Sequence, residues 1–138
     1  MKFFYMLFKL LIVVIVSIYK FNPYAIEKYT IDLEEILKKK IEEYHVLFYL
    51  DECMSCSTLI DYIKSSKIYQ KVDIFYINLN GLDERIISCQ QNNIGVSNYL
   101  DLRINTSPTL LFVDKEKVIN QIGGLTPIHL YLENYAKF

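Results

Sequence analysis

Arginine is nearly missing from this chain of 138 residues, with Arg85 and Arg103 the only two, so no array of guanidinium forks is there to grip phosphate. An excess of one charge is missing too. A formal net charge of −1 leaves no electrostatic footprint for nucleic acid. Three cysteines are too few for a disulfide framework, and a chain of this length buries enough core to stand without one. No repeat or low-complexity tract interrupts it.

A long apolar run is present. The segment "MKFFYMLFKLLIVVIVSIYKF" is apolar from Phe3 to Tyr19 except for Lys9 and Ser17. Read from Leu10, it has the basic start and apolar stretch of a signal peptide; read from Phe3, it is just long enough to span a bilayer as a helix. What it lacks is a good small-x-small cleavage site, since the best candidate ends at Ala25 with Pro23 two residues before it. Residues 1–21 are therefore expected to form an uncleaved signal anchor in the cell membrane. The expected topology is a single pass with an extracytoplasmic C-terminal domain, secreted if the segment is cleaved. Lys20 and Lys28 follow the run, so the positive-inside count does not clearly favour an N-terminus in the cytoplasm.

Residues 22–29 read as a short linker and residues 30–138 as one domain. In "TIDLEEILKKKIEEY", Ile31, Leu33, Ile36, Leu37, Ile41 and Tyr44 fall near helical spacing, with acids early and lysines later, and the pattern predicts an amphipathic helix. Runs rich in β-branched and aromatic residues predict strands at residues 45–50, 72–79, 109–114 and 117–123. A helical stretch from Cys56 to about Lys67 is long enough for a crossover between parallel strands. A second, partly helical stretch is expected over residues 83–102. The last two strands are separated only by Lys115 and Glu116, which implies a hairpin. Thr126 then caps a closing helix with Pro127 at its first position. The order from His45 is β-α-β-α-β-β-α, an α/β domain with a mixed sheet.

Two of the three cysteines, Cys53 and Cys56, sit three residues apart where the first strand gives way to a helix. At that spacing they can bridge. A thiol at a helix N-terminus faces unpaired backbone N–H groups, which favours its thiolate, and Cys56 lies one turn further in. The pair suits thiol–disulfide exchange, with Cys53 attacking a substrate disulfide and Cys56 resolving the mixed disulfide. Reduction, donation and isomerisation all use this pairing. Zinc would want four ligands, and Cys89, His45 and His129 are scattered singly. A purely structural bridge over so short a loop adds little stability. Met54, between the cysteines, is either an apolar substrate contact or an exposed linker side chain. Cys89 reads as a small buried hydrophobe, and both histidines as structural.

A strand leading into Cys-x-x-Cys, followed much later by "INTSPTLLFVDKEKVINQIGG", resembles the thioredoxin superfamily over residues 45–138. The resemblance implies a thioredoxin-like fold in which Pro108 is a cis proline against Cys53 and the backbone of Ser107 pairs with an extended substrate segment. This chain departs from the family in three places: Met54-Ser55 stands where thioredoxin has Gly-Pro, no Trp precedes Cys53, and Leu47 occupies the position of the buried acid. Asp51 and Glu52 beside Cys53 oppose the helix dipole by raising the thiol pKa.

The sequence as a whole reads as a membrane-tethered bacterial thiol–disulfide oxidoreductase acting on exported proteins or peptides. It needs no cofactor beyond the Cys53–Cys56 couple, and its partners are thiol- or disulfide-bearing substrates and a separate redox partner. A short anchored chain of this kind also resembles bacteriocin accessory proteins. The alternative is a redox-inactive module of the same fold that assists export by binding.

Overall fold

In β1 (Glu43–Tyr49), Tyr44, Val46 and Phe48 point to one face of the sheet, while His45 and Leu47 point to the other, and all five are buried. A strand covered on both faces belongs in the middle of a sheet. There it pairs in parallel with β2 (Ile74–Asn78) and antiparallel with β3 (Thr109–Asp114), and β4 (Lys117–Gly123) completes the order β2-β1-β3-β4. The structure, a computed structural model, describes residues 1–20, 24–82, 84, 86–87 and 92–137, with the side chains of the N-terminal helix described through residue 14.

α1 (Lys2–Lys20) precedes the domain, and α2 (Met54–Ser66) makes the crossover between the parallel strands β1 and β2. β3 and β4 form the expected hairpin. Both turn residues, Lys115 and Glu116, have positive φ, 46° and 64°, the backbone that matches the twist of two-residue hairpins. α2 and α3 (Leu125–Tyr135) cover one face of the sheet, where Leu59, Ile63, Ile128 and Leu132 pack on Leu47 and Leu110. On the other face Ile36, Leu37, Leu102 and Ile104 pack on Val46, Phe48 and Leu111, with no α-helix among the described residues there.

Both outer strands have covered edges, which removes open templates for strand addition. Along β2, Thr30 bridges to Tyr76, the Ile31 N–H donates to the Tyr76 carbonyl at 3.0 Å, and Tyr24 stacks on Tyr69. Along β4, the Gly95 N–H donates to the Val118 carbonyl and the Val118 N–H to the Val96 carbonyl.

Several expectations are corrected. Residues 30–44 form no α-helix, only a 3-10 turn at Leu33–Glu35, because Thr30 and Ile31 are drawn into extended pairing with β2. The apolar positions Ile31, Ile36, Leu37 and Tyr44 are nevertheless buried, whereas Ile41 is exposed. Within residues 83–102 the described residues form a single 3-10 turn at Tyr99–Asp101. There the buried Asn93 side chain accepts from the Arg103 N–H at 2.7 Å and donates to the Arg103 carbonyl at 2.6 Å, taking groups a helix would have used. The described order from β1 is thus β-α-β-β-β-α. Cys89 lies outside the described residues. α3 begins before the expected cap, with Gly124 at its N-cap at a φ of 90°. Pro127 then falls in the first turn, where its missing N–H costs no helix hydrogen bond.

The N-terminal expectation is overturned. Among the described residues no helix is long and apolar enough to cross a membrane. Spanning about 30 Å of hydrocarbon takes about 20 predominantly apolar residues. Within α1 the apolar run is interrupted by Lys9. The transmembrane signal anchor, and with it the membrane localisation, is corrected accordingly.

Candidate active site

β1 runs out at Tyr49, and four residues later Cys53 caps α2. The Cys56 backbone N–H donates to Cys53 Sγ at 3.2 Å, so the sulfur takes the place that a Ser or Asp oxygen has at most helix starts. Cys53 and Cys56 are bridged by a disulfide, with Cα atoms 5.2 Å apart. The two sulfurs differ in access: Cys53 is half-buried, whereas Cys56 is 1% exposed. Met54, between them in sequence, is 85% exposed.

Across from the bridge lies the loop before β3. The Ser107–Pro108 peptide bond is cis. The Ser107 carbonyl oxygen is 3.8 Å from Cys53 Sγ, and its hydroxyl lies 3.0 Å from Cys56 Sγ and 3.9 Å from Cys53 Sγ. Sequence reasoning assigned Ser107 a backbone role only; the hydroxyl over both sulfurs was missed, and the residue type was the one available signal. The loop is tied down by Thr109, whose hydroxyl donates to the Thr106 carbonyl at 2.7 Å, and by the Gly124 N–H, which donates to the Pro108 carbonyl at 2.9 Å.

Gly123 lets that loop approach β4. A Cβ there would meet Thr106 Cγ2 at 2.7 Å. Gly123→Ala is expected to push the loop away from the sulfurs and cost about 1–3 kcal/mol of stability by overpacking. Urea unfolding of the variant checks this, and unchanged stability would show that Thr106 gives way freely.

A polar clamp missed in the sequence sits beside the bridge. Asn78 Nδ2 donates to Asp51 Oδ1 at 2.8 Å, the Asp51 N–H donates to Asn80 Oδ1 at 2.9 Å, and the Asn80 N–H donates to Asn78 Oδ1 at 2.9 Å. The parallel pairing of Tyr49 with Asn78 brings these residues together across 27 positions of chain.

The other candidate groups do not join the site. His45 is buried at the far end of β1, stacked on Phe112 at 4.6 Å, and His129 packs edge-on against Tyr62 at 3.9 Å. Among the described residues no three His, Cys, Asp or Glu side chains gather as a metal site.

No family profile and no curated protein matches the sequence. Solved structures do resemble it. Thioredoxin f2 of Chlamydomonas reinhardtii superposes with a TM-score of 0.53 at 17% identity, covering 74% of this chain and 88% of that one. The chain has the thioredoxin fold. Mitochondrial thioredoxin 3 of Saccharomyces cerevisiae in its oxidised form gives 0.51 at 14% identity, over 76% of this chain and 86% of that one. A thioredoxin of Schistosoma mansoni gives 0.52 at 18% identity, over 78% and 90% respectively. In this thioredoxin-fold chain the bridged cysteines open the helix that follows the central strand, and the cis proline loop faces them.

Proposed function

We propose that this chain is a thiol–disulfide oxidoreductase for protein or peptide substrates, with Cys53 as nucleophile and Cys56 as resolving thiol. The observation that carries the reading is the asymmetry of the bridge: one sulfur half-exposed at a helix N-terminus, its partner buried behind it, and a serine hydroxyl over both. Unpaired N–H groups of the first turn stabilise a thiolate at Cys53. That thiolate attacks a substrate disulfide, forming a mixed disulfide and expelling one substrate thiolate. Cys56, as thiolate, then attacks Cys53 Sγ and expels the second, so two electrons pass to the substrate and the Cys53–Cys56 bridge forms. Run backwards, the same steps donate a disulfide. A separate thiol or disulfide partner resets the couple.

Ser107 and Pro108 shape the rim against which an extended substrate segment lies, and the exposed Met54 supplies an adaptable apolar contact. The test is a redox titration of the whole chain in glutathione buffers, with free thiols trapped by a mass tag and counted by mass spectrometry. The expected result is one reversible two-electron transition confined to Cys53 and Cys56. A pair locked in one state across the titration would replace this reading with that of a redox-inactive binding module.

A further inference from the structure

Resolution of a mixed disulfide needs Cys56 as a thiolate, so its proton must leave a side chain that is 1% exposed. The half of β1 that leads to the cysteines provides no acid for this. Between His45 and Leu50 it carries only apolar residues and Tyr49, and Leu47 is fully buried in the core. The Ser107 hydroxyl, 3.0 Å from Cys56 Sγ, can donate to the sulfur but cannot hold a proton as a base near neutral pH.

On the side of α2 facing the end of β1 lies a groove of about 240 Å³. Cys56, Ser57, Asp61 and Lys64 line it from α2, and Tyr49 and Asp51 from the end of the strand. That is room for several waters, each occupying about 30 Å³ of liquid volume. Of the two carboxylates, Asp51 is the one clamped by Asn78 and Asn80. Its charge and that of Glu27 reach Tyr49, whose phenol is pushed up chiefly by burial, with both carboxylates adding and contacts to Thr30 and Asn78 opposing. Tyr49 therefore stays protonated at neutral pH and does not compete as a base.

We propose that Asp51 is the proton acceptor for Cys56, exchanging its proton through water held in this groove. The inference rests on the exchange reading above. In the forward step the Cys56 thiol proton passes through water to Asp51, the Cys56 thiolate attacks Cys53 Sγ, and the substrate sulfur departs with the Cys53–S electron pair. Asp51 is exposed and returns the proton to solvent. In the reverse step it delivers one. Asp61 and Lys64 also line the groove, and Glu27 and Glu52 follow its lining residues Ile26 and Asp51 in sequence; they set its potential, and of the two lining carboxylates Asp51 is the one held by the clamp.

The sign of the effect separates this role from simple charge. Asp51→Asn removes a negative charge, which by itself would ease thiolate formation at Cys56 and speed resolution. Loss of the proton acceptor slows it. The experiment uses the full chain, reduced, mixed with a cystine-bridged test peptide, quenched with acid and read by mass spectrometry from pH 5 to 9. The expected result for Asp51→Asn is decay of the mixed disulfide about 10²-fold slower near pH 6.5, converging on wild type near pH 9, where hydroxide takes the proton directly. Asp51→Glu restores part of the rate, and Asp61→Asn, the same charge change in the same groove, shows no slowing. Resolution by Asp51→Asn that is unchanged, faster or equally slowed at every pH overturns the proposal, as does slowing in Asp61→Asn instead. Cys56→Ser is the control on the underlying reading: a mixed disulfide that accumulates there upholds the Cys53 attack whatever Asp51 does, and none forming overturns both.

Discussion

Cys53→Ser is expected to abolish disulfide exchange, with turnover on a cystine-bridged peptide falling by roughly 10⁴-fold or more. A serine hydroxyl at this helix start is not ionised at neutral pH, and among the described residues no histidine stands beside it to take its proton as in a serine hydrolase. Cys56 cannot substitute, because at 1% exposure it reaches a substrate only after Cys53 has brought one in. Cys56→Ser fails differently. It retains the first attack and stops at the mixed disulfide, so the two variants give no adduct and a stable adduct respectively. Folding is a weak confounder. Loss of a bridge spanning three residues removes about 2 kcal/mol or less of chain-entropy stabilisation, and comparing reduced wild type with the variants removes even that. Turnover retained in Cys53→Ser would end the oxidoreductase reading.

How much of this was legible in the sequence depends on how local each signal was. β1 was readable because its run from His45 to Leu50 is almost wholly apolar, the mark of a strand covered on both faces. The β3–β4 hairpin was readable because two residues leave only a tight turn. The cysteine pair was readable because a three-residue spacing at a strand-to-helix junction places both sulfurs on one turn.

What failed was the conformation of segments whose hydrogen bonds lie far away in sequence. In residues 30–44 the apolar spacing identified buried side chains, yet β2's open edge at Tyr76 competed with the helix and won. Asn93 did the same for the described stretch from residue 92 to 102, through Arg103 and Gln121. The Asp51 clamp exists only because the register of β1 on β2 sets Asn78 beside Tyr49. No pattern within either strand announces that register.

The second large effect lies at the opposite end of β1, where acid is expected to destabilise the fold through His45. Its ring is sandwiched on Phe112, meets Tyr135 edge-on at 5.1 Å, and places Nε2 2.9 Å from the Tyr131 hydroxyl; Nδ1 makes no hydrogen bond. Burial pulls its pKa down to about 4, opposed by the Asp73 backbone. In the unfolded chain the imidazole takes a proton near its ordinary value of 6.5. The unfolded state therefore binds the proton first as pH falls, so the stability that neutral His45 permits is complete above about pH 6.5 and is lost between there and about pH 4. The loss amounts to about 3 kcal/mol at the lower end. His45→Phe keeps an aromatic ring on Phe112 and removes the titration, and Tyr131, whose hydroxyl loses its partner, is itself only half-buried. Carboxylates titrate in the same range, so the informative quantity is the difference between the two proteins in urea unfolding at pH 7 and pH 4. Wild type should lose about 3 kcal/mol more than His45→Phe across that interval. Parallel loss in both would mean that the His45 ring meets its proton in the folded state as readily as in the unfolded one, and that its packing against Phe112, Tyr131 and Tyr135 opens with little resistance.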